Sequence, residues 1–522
     1  MCGEHSFRHS NAIGRREFLA ITATAAAALP AASTLVEART ADSGVPDVFP
    51  RGDALRIKPA LLYTLYERRD RDSWRSTGGL QSRADVDAEA RRIEGELRAL
   101  AARADFPIQV QPISLVPDRA KAAALRESEA DVMLLFAAGT PGAGASKGAE
   151  SGKTALEQAV DCGKPSLIFL RRTSGPIYYY TKGANFRFLR KSSDDIQETH
   201  IGVDDIVVDD YEGILWRLRA LYGLKNTKGT KSLALGGLQA IYAESARKGP
   251  DYAKNVWGFK IIEYPAAALQ EKLALARQDR NQVQEAERQV DGLLAQPGVT
   301  LATDRKFVFN TVLARNVVRG LMKETGATSV GVARCMDALI PVLDTPPCLM
   351  LSLLNDEGYV AFCHNDFAQT PPGVLLRWIS GKPVFLANSY YPYQGLWTVA
   401  HCSSPRRMDG VTSEPVRITT HYESDYGAAT KVHYPKGQPV TCIVPNLRCT
   451  KWFAFRARIV DSPSFAMCRS QMDIQIDGDW RALVREMEGF HTIVTYGDYL
   501  REAGYAVRKA GAIEWKNYSE PA

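Results

Sequence analysis

Long hydrophobic runs are missing from this 522-residue chain beyond its N-terminal segment, so nothing downstream supplies the roughly 20 apolar residues of a membrane-crossing helix. A block of like charge is missing too. Lys and Arg number 65 against 59 Asp and Glu, and the net charge of +6 is spread along the chain, which gives no footing for a nucleic-acid partner. The nine cysteines lack any tight repeating spacing and so do not read as a disulfide framework. Cys348 and Cys363 stand inside apolar runs, where a buried free thiol is expected. An intact phosphate loop is absent as well: Gly152-Lys153-Thr154 has the right ending, but Lys147 stands where the first glycine of that motif belongs. With 45% apolar and 24% charged residues the chain is ordinary globular material, long enough for two or three domains, and small-molecule chemistry is the function class left.

The N-terminus is the clearest local signal. Gly14-Arg15-Arg16-Glu17-Phe18-Leu19 precedes an uncharged, Ala-rich stretch to Pro30 and small residues near Ala38, the order of a twin-arginine signal peptide. The apolar stretch is short and rich in Ala and Thr, unlike a membrane anchor, and no cysteine at its end offers a lipid attachment site. The expectation is a protein handed already folded to the twin-arginine export machinery, periplasmic or otherwise exported, with no membrane contact after cleavage. That route suits reduced cysteines and a metal loaded before export.

Residues 1–48 are read as signal and linker, 49–226 as an N-terminal α/β domain, 227–373 as a second α/β domain and 374–522 as a mostly β domain. In the first, a strand over residues 55–66 is followed by Val86, Ala90, Ile93, Leu97 and Leu100 at helical spacing, then strands at 108–113, 132–136 and 166–170. Strands alternating with helices imply a Rossmann-like parallel sheet. A helix around residues 214–221 closes this unit, and the polar run Lys225 to Lys231 reads as a linker. The second unit repeats the pattern with strands at 232–235, 259–264 and 329–333 and long helices over 266–295 and 307–322. From residue 374 the texture changes to short β runs, such as 443–445 and 453–460, finished by helices near Trp480 and Tyr499.

The candidate chemistry lies between Cys335 and His401. Leu354-Asn355-Asp356-Glu357-Gly358 leads to His364-Asn365-Asp366; Val384 to Asn388 reads as a strand; Val399-Ala400-His401 follows about a dozen residues later. Near the C-terminus, His491 precedes the apolar run Thr492-Ile493-Val494. In these motifs the chain resembles the L-fucose/L-arabinose isomerase family, in which a Leu-Asn-Asp-x-Gly run leads to Glu-x-Asp, a strand carries a second acidic residue, and two histidines follow. The resemblance extends over both α/β units and the β domain.

It implies two Rossmann-like domains followed by a mostly β domain, a trimer or hexamer, a carbohydrate substrate, and aldose-ketose isomerisation at a divalent ion, Mn²⁺ in the family. Such a reaction needs a base at C2, an acid at the oxygens and a cation holding them. Carried over residue by residue, His401 and His491 match the histidine ligands, His364 stands at the first acidic position, Asn388 at the second, and Asp366 is retained. The implied site has His364, His401 and His491 on the metal, Asp366 and His364 in catalysis, and Asn388, Arg469 and Gln471 on the substrate. A site so rich in nitrogen suits Zn²⁺ at least as well as Mn²⁺. Two alternatives stay open: a glycosidase or lyase that reuses the fold on extracytoplasmic saccharides, and a non-catalytic sugar-binding protein. Arg171, Arg172, Tyr178, Tyr179 and Tyr180 follow a strand and read either as a pocket wall or as an exposed aromatic loop.

Overall fold

The computed structural model describes residues 52–65, 80–139, 153–178, 184, 188–189, 201–238, 240 and 242–519. Residues 1–48, the expected signal and linker, and Gly152, Tyr179 and Tyr180 lie outside them.

The first sheet is wholly parallel. Leu55–Leu62 pairs with Ile108–Val110 and Ser114–Val116 on one side and with Val132–Ala137 on the other, followed by Ser166–Leu170 and Ile206–Val208. Val132–Ala137 and Ser166–Leu170 are buried along their whole length, as strands covered on both faces must be. Ser82 starts the Arg83–Arg103 helix by exchanging hydrogen bonds with Asp85, a capping box, and the expected stripe Val86, Ala90, Ile93, Leu97 and Leu100 is the buried face.

Arg171, at the carboxyl end of Ser166–Leu170, is fully buried and ion-paired to Glu89 and Glu96 of that helix, while Tyr178 donates to Glu89 at 3.2 Å. Arg171 and Tyr178 therefore staple strand to helix; they form neither an open wall nor an exposed loop. The linker expected from Lys225 to Lys231 is also corrected. Helix Tyr211–Thr227 continues to Thr227 and strand Lys231–Leu235 begins at Lys231, because Tyr222, Leu224 and Thr227 are buried and hold the helix together past its polar positions.

The second sheet, also parallel, has the order Val360–Phe362, Ser329–Val332, Lys231–Leu235, Lys260–Tyr264. The long helical run after it breaks at Asp279, whose carboxylate caps the next helix through the amides of Asn281 and Gln282.

The C-terminal region closes into a barrel of antiparallel strands. Pro439–Pro445, His491–Tyr496, Phe385–Ser389, Leu396–His401, Ser470–Asp477 and Lys451–Asp461 pair in that order, and Lys451–Asp461 pairs back to Pro439–Pro445. Phe385, Trp397, Phe455, Met472 and Val494 fill its interior, whereas Leu386, Ile443 and Ile493 on the outer face join the core of the first sheet. This alternation explains why the barrel strands are buried on both sides. Helices Thr370–Ser380 and Leu500–Ala510 both pack on Tyr211–Thr227. A small third sheet joins Val299–Leu301 to Val416–Thr419 and Ala429–Val432. Among the described residues, no single helix is long and apolar enough to cross a membrane.

Candidate metal centre

The carboxyl ends of the second sheet and one rim of the barrel supply a shared set of ligand-type side chains. Val360–Phe362 runs directly into Cys363 and His364, and Ser329–Val332 is followed by Cys335, so both arrive where open parallel sheets hold ligands. From the barrel come His401, the last residue of Leu396–His401, and His491, the first of His491–Tyr496; Asn388 of Phe385–Ser389 is the direct cross-strand partner of His491.

Asn365 sets the turn that carries His364. Its amide donates to the carbonyls of Leu235 at 3.1 Å and Gly237 at 2.8 Å, pinning the chain to the neighbouring strand end. A Cβ at Gly331 would overlap Asn365 Oδ1 and crowd the His364 carbonyl, so this close approach requires glycine.

The His364 ring lies 5.7 Å from that of His401 and 5.2 Å from that of His491, centroid to centroid. Burial, with His401 adding to it, pushes His364 down to about 3. Burial also lowers His401, and it lowers His491 well below the usual imidazole range, with both other rings contributing. All three are therefore neutral at pH 7, the form in which imidazole coordinates metal. His401 Nδ1 receives the Cys402 amide at 3.0 Å and lies 3.1 Å from the Ser403 hydroxyl, which fixes the ring. His491 is 0% exposed, and neither of its ring nitrogens has a hydrogen-bond partner. A buried polar group left unpaired costs about 1–3 kcal/mol.

Ligand atoms of Cys363, His364 and His401 lie within 4.8 Å of one another, and so do those of Cys402, His421 and Glu423. Cys348 and Cys468 pack with Cys402 in a small buried cluster. Hydrogen bonds from Cys348 and Cys468 hold the Cys402 thiol well below its ordinary value, and both donors are pushed up in turn. The same exchange with Cys363 brings Cys335 down to about 7. All eight described cysteines are unpaired, as free thiols were expected to be.

Asp366 is 1% exposed; its carboxylate accepts from Ser245 Oγ at 3.1 Å and the Ala368 amide at 3.0 Å, and burial raises its pKa. Its charge also raises the phenol of Tyr242, after burial, and the Tyr242 ring stands 6.1 Å from that of His491. Asn388 donates to Cys468 Sγ at 3.8 Å. The Gln471 amide is taken up by the backbone of the preceding loop, giving hydrogen bonds to Phe465 O at 2.9 Å and Cys468 O at 3.0 Å and accepting from Phe465 N at 2.8 Å. Arg469 donates to the Thr420 carbonyl at 2.7 Å and hydroxyl at 3.0 Å, and its guanidinium lies over Tyr422. Of the two upstream acids, Asp356 accepts from the Arg406 and Arg407 amides at 2.9 and 2.8 Å, and Glu357 pairs with Arg315 and Arg319.

Sequence reading missed Tyr242, Cys363 as a ligand-type group, and the pairing of Cys402 with His421 and Glu423. The adjacency of Cys363 to His364 and of Cys402 to His401, together with His421-x-Glu423, was the available signal. Compared with protein families and with curated proteins, the chain matches none.

Proposed function

We propose that this chain is an exported, metal-dependent enzyme acting on a carbohydrate or related polyhydroxy carbonyl compound, by proton transfer at the carbon beside the carbonyl. The observation that carries the reading is His491, fully buried beside His364 with both ring nitrogens unbonded. A divalent ion held there would satisfy the one ring nitrogen that carries a lone pair and so relieve part of that penalty. Two parallel α/β sheets followed by a β-barrel agree with the architecture that the isomerase resemblance implies.

The donor set discriminates between ions. The Cys363 thiol with the His364 and His401 imidazoles, and His491 beside His364, suit Zn²⁺ or another borderline ion, whereas Mn²⁺ prefers carboxylate and other oxygen ligands that this set lacks. A bound ion would supply Lewis-acid polarisation of a carbonyl or of adjacent hydroxyls. His364, His401 and His491 would hold it. Asp366 is the acid-base group of this reading: burial raises its pKa, and Ser245 and the Ala368 amide fix its orientation. Tyr242, between Asp366 and His491 in its interactions, would wall the pocket and keep water from it.

The test is NMR of pentoses, hexoses and 6-deoxyhexoses in D₂O with the purified protein, supplemented with Zn²⁺ or Mn²⁺. Deuterium at the carbon beside the carbonyl, lost in Asp366→Asn, is the expected result. Failure of every sugar to exchange with either ion would overturn the reading, and release of new reducing ends from oligosaccharides would replace it with a glycosidase.

A further inference from the structure

We propose that Cys402, Cys468, His421 and Glu423 form a second, thiolate-bearing site for Zn²⁺ or another thiophilic divalent cation, next to the histidine site. The site stands apart from the proposed sugar reaction, because none of these residues belongs to the histidine trio.

The geometry is compact. Ligand atoms of Cys402, His421 and Glu423 all lie within 4.8 Å of one another, and Cys468 Sγ stands 3.4 Å from Glu423 Oε1. With both thiol protons displaced by the ion, and Cys468 joining the group of three from beside Glu423, two thiolates, one imidazole and one carboxylate would make the four-coordinate set typical of zinc. His421 Nε2 and Glu423 Oε2 are 2.8 Å apart, joined by a proton that a cation would replace. The other nitrogen, Nδ1, is 3.0 Å from Ser424 Oγ. With Nδ1–H donating there, the Nε2 lone pair is free for a metal, the support that metal-bound histidines commonly have. The Arg469 amide donates to Cys402 Sγ at 3.4 Å, a contact that favours the thiolate.

The loop carrying His421 and Glu423 is held in place before any ion arrives. Arg469 bonds both the carbonyl and the hydroxyl of Thr420, and the His421 amide donates to Tyr426 O at 3.0 Å. The peptide between His401 and Cys402 joins the two sites, so the centre is built to hold an ion on each side of it.

The test is an anaerobic Co²⁺ titration of the metal-free, full-length chain, read by absorption and by metal content. The wild type is expected to bind a second ion per chain and to develop a sulfur-to-cobalt charge-transfer band. In a Cys363→Ser background, which removes the one sulfur of the histidine site, Cys402→Ser/Cys468→Ser should lose the band and one ion, while His364→Gln loses one ion and keeps the band. A Cys363→Ser protein without the band overturns the proposal, and so does a band in that background that survives the double substitution. Should the double variant fail to fold by circular dichroism, His421→Gln, on the loop, should weaken the sulfur-bearing site at least about tenfold. An unchanged affinity in His421→Gln would equally overturn the site. Loss of sugar exchange with the band intact would count against the enzymatic reading alone.

Discussion

Asn388 and His491 are direct partners across two antiparallel barrel strands, so an uncharged amide shares a sheet face with an imidazole that has no hydrogen-bond partner. Directly opposed residues place their Cβ atoms about 4.5–5.5 Å apart. Asn388 also donates to Cys468 Sγ, which makes it the link between the histidines and the thiols.

Asn388→Asp should therefore change which ion the centre prefers. An added anionic oxygen favours harder cations, and a single such ligand is expected to tighten Mn²⁺ binding by about tenfold, or 1.4 kcal/mol. Electron paramagnetic resonance titration with Mn²⁺ measures it directly. Equal Mn²⁺ affinity in variant and wild type would place position 388 outside the ligand sphere.

His491→Leu should act in opposite directions on binding and on stability. Metal content falls, because a ligand is removed. In the metal-free protein the same change replaces a buried unpaired polar ring with an apolar side chain and is expected to stabilise by about 1–3 kcal/mol, less any packing loss. Urea unfolding with and without chelator separates the two effects; a variant less stable than wild type in chelator would mean that the His491 ring carries no desolvation penalty for a metal to relieve.

The buried ion pair in the first sheet makes a prediction free of any metal. Arg171→Met leaves Glu89, itself buried, without its cation, and breaking a buried pair from one side costs about 3–5 kcal/mol. Arg171→Met with Glu89→Leu should recover most of that loss, since the uncompensated charge is gone. Guanidinium midpoints of the single and double variants test the difference.

Asp356 supplies a pH dependence. Burial, opposed by the Arg406 and Arg407 amides, raises its pKa from 3.8 to about 7. The folded protein keeps this proton where the unfolded chain has released it, so its contribution to stability is full below about pH 4. It declines between about pH 4 and pH 7, and is flat above. Asp356→Asn should flatten that decline, read as a variant urea midpoint that holds between about pH 5 and pH 7.5 while the wild-type midpoint falls. An unaltered slope would mean that the two amides hold the carboxylate ionised.

Much of the architecture was legible in the sequence because it is written locally. The Val86-to-Leu100 stripe and the apolar runs of the parallel strands report their secondary structure through their own periodicity and burial. His364, His401 and His491 could be nominated from short motifs, and the fold brings His364 against both of the others. Other features were not local. Strand Ile206–Val208 is three residues long and carries little pattern of its own, and the pairing of Val299–Leu301 with Val416–Thr419 spans more than a hundred residues. The end of the supposed linker was decided by burial of Thr227, which no neighbouring residue announces.

The bonding partners of the polar residues were decided by tertiary structure alone. Sequence identifies Gln471, Arg469, Cys402 and Glu423 only as groups with hydrogen-bonding or ligand capacity. Whether that capacity is spent on the backbone, as with Gln471, or gathered around a common point, as with Cys402, His421 and Glu423, depends on which distant segments meet. Periodicity fixes which face of an element turns inward; only the packing of a parallel sheet end against a barrel rim fixes what waits there.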